Sequence, residues 1–269
     1  MEYLFKFYND RCIILDRDCQ ELAAFEFCLQ PIFRPKNKSV YAFELLSKVH
    51  FHSGEYYAND DFFDSIDDNF MKELLILQMS YAAEHLVESD IKLTFNIPVS
   101  CLYDGEFIKR LINNRRGNYV IEVGDIASYV PSKDLINNLK SLKSSGIEVW
   151  LDEYDVSQKE NNQCLDIFPW DGIKVDKNFL YFIGDEVKLS PLVGILKLYT
   201  SKVIIEGVET NFQRNFVILN NSLAQGYFYS YPVDFVQANR MIQEQVAHLE
   251  SSSNHHELSI QNTLKPVIL

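Results

Sequence analysis

Short apolar runs alternate along this chain with longer segments in which apolar residues recur every three or four positions. Short runs rich in β-branched residues are typical of buried strands, whereas the longer spacing is typical of amphipathic helices. The runs predict strands at residues 25–34, 40–46, 91–96, 118–123, 147–152, 172–175, 202–206 and 223–227. The longer segments predict helices at residues 62–87, 100–113, 132–145, 191–199, 211–219 and 234–249. Ser100 is the predicted N-cap of the second helix, and Gly146 the predicted terminator of the third.

The order of these elements indicates the fold class. After a strand pair joined by a turn at residues 35–38, strands and helices alternate, which favours parallel strands with crossover helices. About eight strands over roughly 230 residues suit a (β/α) barrel in one domain better than an open sheet. We therefore predict an α/β barrel domain over residues 25–250, with an N-terminal lead-in at residues 1–24 and a polar C-terminal tail at residues 251–269.

Six polar residues lie beside the apolar runs, at positions where a strand that only formed core would stay apolar. They are Glu44, Asn96, Glu122, Asp152, Lys174 and Glu206. In a barrel of parallel strands, the carboxyl ends of the strands converge on one pocket. Any one of these carboxylates could be a salt-bridged core residue. Six such residues in succession instead predict a carboxylate-rich site that holds metal.

Composition and charge narrow the function. The chain of 269 residues carries a net charge of −13, which argues against binding to a nucleic-acid polymer or an anionic membrane and is compatible with a divalent-cation site. No apolar stretch approaches the roughly 18 residues of a membrane span, and no signal peptide is visible. The five cysteines are scattered, so we expect reduced thiols and a cytoplasmic location. Neither the cysteines nor the six histidines have zinc-type spacing.

Seven blocks of the sequence resemble, in order, the signature blocks of EAL domains, which are cyclic di-GMP phosphodiesterases and their degenerate relatives. The blocks are Glu44-Leu45-Leu46, Asn96, Glu122, Asp152-Glu153, Ile173-Lys174-Val175-Asp176, Glu206-Gly207-Val208-Glu209-Thr210 and Gln225-Gly226-Tyr227. Gln30-Pro31-Ile32 resembles the opening strand of that family, and Pro232 lies where the family's closing segment carries a proline. The resemblance implies a modified TIM (β/α)8 barrel whose first strand is antiparallel to the rest.

The resemblance also implies a role for each matched residue. Two Mg²⁺ or Mn²⁺ ions would be bound, since hydrolysis of a phosphodiester needs charge neutralisation and an activated water. The implied metal ligands are Glu44, Asn96, Glu122, Asp152, Glu153 and Glu206. The implied catalytic residues are Lys174, which would orient or deprotonate the attacking water, together with Glu44, Glu206 and Gln225. The residues implied in binding the substrate or supporting its site are Gln30, Lys48, Asp176 and Glu209.

Four features depart from the family pattern. The usual Asp-Asp pair is Asp152-Glu153 here, which moves one carboxylate outward, and a displacement near ~1 Å can cost on the order of 10²-fold in rate. The loop that follows has no glycine, since none occurs between Gly146 and Gly172. Lys48 stands where the family has an arginine that makes two hydrogen bonds to a phosphate. Asp125 stands where the family has the glutamate of a block that supports the loop. We therefore expect weak or impaired activity.

Three classes of function stay open at this point. The first is a phosphodiesterase that hydrolyses cyclic di-GMP to linear pGpG. The second is a non-catalytic receptor for cyclic di-GMP, and the third is an interaction module that acts on a protein partner, such as a transcription regulator of motility or adhesion. Retention of nearly every ligand type favours the first two, because clustered carboxylates are costly to bury without a cation, whereas the altered loop weakens the first. A homodimer is compatible with the resemblance.

Overall fold

The strands of the molecule follow the predicted apolar runs. The computed structural model describes residues 4–8, 11–15, 18–50, 62–63, 65–129, 131–155, 159–181 and 186–248. The strands are β1 Leu4–Tyr8, β2 Arg11–Leu15, β3 Glu21–Arg34, β4 Ser39–His50, β5 Lys92–Ile97, β6 Tyr119–Val123, β7 Glu148–Tyr154, β8 Gly172–Val175, β9 Val203–Ile205 and β10 Leu223–Gln225. Each of the predicted strands corresponds to one of β3 to β10. The predicted tail at residues 251–269 lies outside the described residues.

Strands β3 to β10 close into a barrel. Neighbouring strands from β4 to β10 are parallel, and β3 closes the barrel by pairing antiparallel with both β10 and β4. A tight turn at residues 35–38 joins β3 to β4, and so short a connection can only join antiparallel strands. The prediction of a modified (β/α)8 barrel with an antiparallel first strand is therefore confirmed.

The N-terminal lead-in extends the same sheet. Strand β1 pairs antiparallel with β2, and β2 pairs antiparallel with the first part of β3. Cys12 and Ile14 of β2 are fully buried, and the ring of Phe7 stacks on Tyr81 with centroids 5.0 Å apart. The sequence analysis assigned no structure to this segment, which covers part of the barrel wall next to the first helix.

Helices surround the barrel. They are α1 Asp68–His85, α2 Gly105–Asn113, α3 Lys133–Ser144, α4 Lys159–Cys164, α5 Asn178–Tyr181, α6 Glu186–Tyr199, α7 Asn211–Leu219 and α8 at residues 235–248. As predicted, Gly146 follows the end of α3, with a φ of +84°. Within the described ranges, no helix combines the length and apolar character needed to cross a membrane.

The predicted N-cap of α2 is wrong. Val99–Tyr103 forms a short 3₁₀ helix, and Asp104 caps α2 by accepting hydrogen bonds from the backbone N–H groups of Glu106 and Phe107. The hydroxyl of Ser100 instead donates to Asp68 at 2.7 Å. A carboxylate that accepts from two helix donors satisfies this terminus, so the hydroxyl is free to join α1 to the 3₁₀ helix.

A small apolar cluster, separate from the main core, fills the amino-terminal part of the barrel interior. It consists of Ile32, Ala42, Val120, Trp150 and Ile204. Gly172 leaves space for the indole, because a β-carbon at this position would lie 2.9 Å from Trp150. This apolar cluster occupies the amino-terminal end of the barrel interior, and the polar side chains lie at the carboxyl end.

Candidate functional site

Neighbouring parallel strands place the predicted site residues side by side. Asn96 of β5 is in register with Glu122 of β6, and Glu44 lies on the adjacent strand β4. Lys174 lies within β8, and Glu206 directly follows β9. The structure therefore brings together the six polar side chains that lie beside the apolar runs, at the carboxyl end of the barrel interior.

The ammonium group of Lys174 is the centre of this group. Its side chain is 1% exposed, and its Nζ lies 2.8 Å from Glu122 and 2.9 Å from Glu206. Two further carboxylates lie within ion-pair distance, at 3.3 Å for Asp152 and 3.4 Å for Glu44. One positive charge faces four carboxylates, so the site holds more acid than its own base can neutralise.

Amide groups hold Glu44 from both sides. Asn96 Nδ2 donates to Oε1 of Glu44 at 2.7 Å, and Gln225 Nε2 donates to Oε2 at 2.6 Å. Gln225 is fixed by the interlocked loops after β9 and β10: Val208 N–H donates to its carbonyl at 3.0 Å. Gly226 has a φ of +151°, and a β-carbon there would lie 2.3 Å from the backbone of Val208. Glycine is required at this close approach, and it sets the position of the glutamine.

Burial and neighbouring charges shift the pKa values of the four carboxylates around Lys174. Burial raises the pKa of Glu206 to about 7, against the opposing effect of Lys174. Burial also raises the pKa of Asp152, and it raises the pKa of Glu122 well above the usual value. Burial acts on Glu44 too, but Lys174 and the two amide donors outweigh it and lower the pKa. Three of the four carboxylates are therefore easier to protonate than in water, unless a further cation is bound.

Two buried oxygen atoms show what the site lacks. Oε1 of Glu122 and Oε1 of Gln225 have no hydrogen-bond partner in the described structure. Buried polar atoms without a partner are rare in folded proteins, and a bound ion or an ordered water accounts for many of them. The ligand atoms available to a cation are carboxylate and amide oxygens, which suit Mg²⁺ or Mn²⁺. The residues present therefore fit a divalent cation.

The described residues do not form a ready-made metal cage. No three histidine, cysteine, aspartate or glutamate side chains among them are arranged to hold an ion. The physical reason is Lys174, whose ammonium group lies between the carboxylates at 2.8 to 3.4 Å. A divalent cation therefore has to compete with Lys174 for the same oxygen atoms.

Glu153 differs from the other carboxylates among the predicted ligands. It is exposed, it has a φ of +53°, and its N–H donates to Asp152 Oδ1 at 2.9 Å. The pairing of β7 with β8 shifts register between Leu151 and Tyr154, so Glu153 lies in a bulge. A positive φ is costly for a residue with a side chain and is typical of functional sites. The glycine-free loop thus begins in a left-handed conformation at Glu153 itself, and its residues 156–158 lie outside the described ranges.

Carboxylates crowd the space beside this bulge. A cleft of about 300 Å³, named here the acidic cleft, is bordered by the carboxylates of Asp125, Asp152, Glu153, Asp155 and Asp176. Burial raises the pKa of Glu153, and the charges of Asp152, Asp176 and Asp125 raise it further. An anion that enters this cleft without a cation is repelled.

Two larger clefts open around the carboxylates of the site, and Lys174 borders the first of them. The central cleft has a volume of about 610 Å³ and is bordered by Glu44, Asn96, Asp152, Glu153, Lys174, Asp176 and Glu206. The side cleft has a volume of about 370 Å³ and is bordered by Gln30, Glu44, Glu206, Glu209 and Gln225. Both walls include Lys177, which the sequence reasoning missed although it directly follows the Ile173–Asp176 block.

Lys48 lies apart from the other predicted substrate residues. It is exposed, it faces Glu26 across the β3–β4 pair, and it borders neither of the two larger clefts. Strands β3 and β4 both continue past Glu44, which carries Lys48 beyond the pocket. Each residue in a strand advances the chain by about 3.3 Å, so four residues correspond to roughly 13 Å.

Comparison with known proteins identifies the family. The family model described as EAL domain matches residues 15–232. No curated protein matches the chain at a significant level.

Solved structures agree with this fold. The EAL enzyme Bd1971 in its cAMP- and cyclic di-GMP-bound form gives a TM-score of 0.71 at 20% identity, over 81% of this chain and 64% of that one. BlrP1 of Klebsiella pneumoniae with calcium and cyclic di-GMP gives 0.65 at 23% identity, over 78% of this chain and 56% of that one. Its manganese and cyclic di-GMP complex gives 0.64 at 22% identity, with the same coverage. The chain thus spans less than two thirds of these proteins, and the likeness concerns the barrel fold.

Proposed function

The chain belongs to the EAL domain family, and we propose that it is a metal-dependent phosphodiesterase that hydrolyses cyclic di-GMP to linear pGpG with impaired activity. One observation carries this proposal: Lys174 lies among four carboxylates, and Asn96 and Gln225 hold one of them, Glu44. Buried charges cost free energy of folding, and clusters of buried ionisable groups with shifted pKa values are typical of active sites.

The proposed metal ligands are oxygens in and around the central cleft. Glu44, Asn96, Asp152, Glu153 and Glu206 border that cleft, and Glu122 is fully buried and contacts Lys174 at 2.8 Å. When bound, Mg²⁺ or Mn²⁺ would neutralise phosphoryl oxygens and lower the pKa of a water. BlrP1 has been crystallised with calcium or manganese together with cyclic di-GMP, which supports the choice of divalent cations and of this nucleotide.

The residues of the chain supply positioning and proton control. Lys174 is buried and remains charged, because the surrounding carboxylates raise its pKa well above the usual value although burial acts to lower it. A charged ammonium at this point donates hydrogen bonds and orients a water rather than accepting a proton from it. Glu44 cannot rotate freely because Asn96 and Gln225 hold both of its oxygens. Gln30 and Glu209 border the side cleft, where the rest of the nucleotide would lie.

The impaired rate follows from Glu153. In the proposed enzyme this residue is a metal ligand, yet it is exposed and held in a bulge with a φ of +53°. A carboxylate about 1 Å from its working position can reduce the rate by on the order of 10²-fold. We therefore propose slow turnover rather than a loss of nucleotide binding.

The first experiment is a chromatographic assay of the purified protein with cyclic di-GMP and Mn²⁺. We expect slow formation of linear pGpG, and loss of that product in Glu44→Ala. Absence of product with the wild-type protein at high enzyme concentration would reject the phosphodiesterase. Product from Glu44→Ala at the wild-type rate would reject the assignment of the site.

A second candidate is a regulator without catalytic activity that binds cyclic di-GMP or a protein partner. The acidic cleft favours the form that acts on a protein partner, because the carboxylates of Asp125, Asp155 and Asp176 lie beside Asp152 and Glu153 and repel an anionic nucleotide. A titration with cyclic di-GMP in the presence of Ca²⁺ separates the two candidates. Binding without turnover indicates a receptor, and the absence of binding up to millimolar nucleotide indicates a protein-interaction module.

The setting we propose is the cytoplasm, with cyclic di-GMP as the partner and no binding to nucleic-acid polymers or membranes. All five cysteines are free thiols, which agrees with a reducing compartment. The net charge of −13 opposes polyanionic surfaces. A homodimer is part of the proposal, and sedimentation of the purified protein tests it.

A further inference from the structure

The walls of the two larger clefts carry far more negative than positive charge. The carboxylates that border them are Glu44, Asp125, Asp152, Glu153, Asp176, Glu206 and Glu209. The cations that border them, among the residues the structure describes, are Lys174 and Lys177. A ligand with two phosphodiester groups needs a positive contact that a carboxylate-rich wall does not provide.

The two lysines differ in what they can offer to a ligand. Lys174 is 1% exposed and engaged by four carboxylates. Lys177 is exposed, and no carboxylate of the described residues lies within ion-pair distance of its ammonium group. Lys177 is therefore the cation at the mouth of the site that is free to meet an anion.

The position of Lys177 is fixed by the backbone. Its carbonyl accepts the N–H of Leu180 at 2.9 Å, at the start of α5. Gly207, in the loop after β9, has a φ of +67°, and a β-carbon there would lie 2.5 Å from Cβ of Lys177. The backbone of Gly207 therefore packs against the aliphatic part of the Lys177 side chain. This contact holds Cβ of Lys177 on the wall shared by the central and side clefts.

We propose that Lys177 contacts a phosphate of the bound nucleotide, and so supplies the positive contact that the resemblance assigns to Lys48. This inference rests on the proposed function, since it requires a phosphodiester ligand in these clefts. Lys177 borders both clefts, whereas Lys48 borders neither and lies opposite Glu26 on the extended part of β4. A flexible ammonium between two clefts can follow a phosphate at their junction.

The test is a titration of the full chain with cyclic di-GMP in Ca²⁺, monitored by calorimetry at low and high salt. Lys177→Met is expected to raise the dissociation constant by about tenfold or more, which is the effect of losing one charge-assisted hydrogen bond. It is also expected to reduce the salt dependence of binding, because one ionic contact is lost. Lys177→Arg should restore most of the affinity, since it retains the charge.

Two comparisons keep the result interpretable. Lys140→Met removes the same charge from the exposed face of α3 and should leave the dissociation constant unchanged. Equal binding by Lys177→Met and the wild type would overturn the inference, as would a larger loss in Lys48→Met. Failure of the wild type itself to bind would reject the nucleotide and thus the proposed function, a different outcome from failure at Lys177. Thermal unfolding of each variant excludes loss of folding as the cause.

Discussion

Strand β7 carries an acid at each end of the barrel interior, and the two acids have opposite surroundings. Glu148, at the amino-terminal end, forms ion pairs with Lys92 at 2.9 Å and Lys202 at 2.8 Å and accepts the Trp150 indole N–H at 3.0 Å. Asp152, at the carboxyl end, shares one ammonium group with three other carboxylates. One acid meets two bases at the first end, and four acids meet one base at the second.

The pKa values follow the same division. Burial acts to raise the pKa of Glu148, but hydrogen bonds from Lys202, Lys92 and Trp150 outweigh it and lower the pKa. Burial raises the pKa of Asp152 in spite of Lys174. The charge of Glu148 at the amino-terminal end is neutralised by neighbouring residues, whereas the carboxyl end keeps an excess of acid. In barrels of parallel strands, this is the division between stability and function.

The largest expected effect comes from Lys174→Met in metal-free protein at pH 7. Removing the central cation leaves the carboxylates buried without a counter-charge, so we expect a loss of about 3–5 kcal/mol in the free energy of unfolding. Denaturant unfolding with a chelator present measures it. The matched variant at the other end, Lys202→Met, should lose far less.

Metal provides the control for this variant. If Mn²⁺ uses the same carboxylates, it should restore part of the stability of Lys174→Met, because the ion replaces the missing positive charge. Equal losses in the Lys174 and Lys202 variants would contradict the claim that the two ends differ.

The next effect concerns metal binding to the wild-type protein. At roughly 100-fold excess of Mn²⁺ over its dissociation constant, binding contributes about 2.7 kcal/mol, or roughly 5–10 °C in melting temperature for a domain of this size. Glu44→Gln should remove most of that increase, since it replaces a charged ligand held by Asn96 and Gln225. Glu148→Gln, at the other end of the barrel, should retain it. An unchanged increase in Glu44→Gln would show that the ion binds elsewhere.

The pH dependence of the metal-free protein should also separate the two ends. The pKa of Glu206 is about 7 in the folded state, above its unfolded value, so its contribution to stability is complete at low pH and is lost as the pH rises through about 7. Glu148 has a lowered pKa, so its contribution is present above the unfolded value and is lost as the pH falls through the folded one. For Glu206 we expect a decline of about 2 kcal/mol between pH 5 and 8.

Variants of Glu206 and Glu148 test the direction in which each residue makes stability depend on pH. Glu206→Gln should flatten the decline between pH 5 and 8, and Glu148→Gln should leave it in place. Denaturant unfolding at a series of pH values measures both. Stability of the metal-free wild type that rises steadily from pH 5 to 8 would contradict the raised pKa of Glu206.

The sequence predicted the barrel and its central cluster because both depend on local pattern. Apolar runs mark strands, and the residue beside each run falls at the pocket when the strands are parallel. Glu44, Asn96 and Lys174 were found in this way without any knowledge of the contacts between them. The antiparallel direction of β3 was stated from the family resemblance, and the short turn at residues 35–38 leads independently to the same direction.

The remaining features depend on tertiary geometry. The left-handed φ of Glu153 carries no signal, because nothing in a glutamate favours that conformation. Lys177 has an ordinary side chain, and its importance arises from the two clefts that meet beside it. The cap at Asp104 was missed because Ser100 gives the same type of signal four residues earlier.

The smallest effect is expected from single changes at the amino-terminal end. Lys202→Met should cost about 1 kcal/mol, because Lys92 still pairs with Glu148 and the side chains of the pair are partly exposed, at 27% for Lys202 and 22% for Glu148. Lys92→Met should behave in the same way. The double variant should lose more than the sum, since Glu148 then keeps only the Trp150 indole N–H. A double-mutant cycle in denaturant measures this excess. Strict additivity would show that the two lysines act independently, and the amino-terminal end would then lack the redundancy that distinguishes it from the site around Lys174.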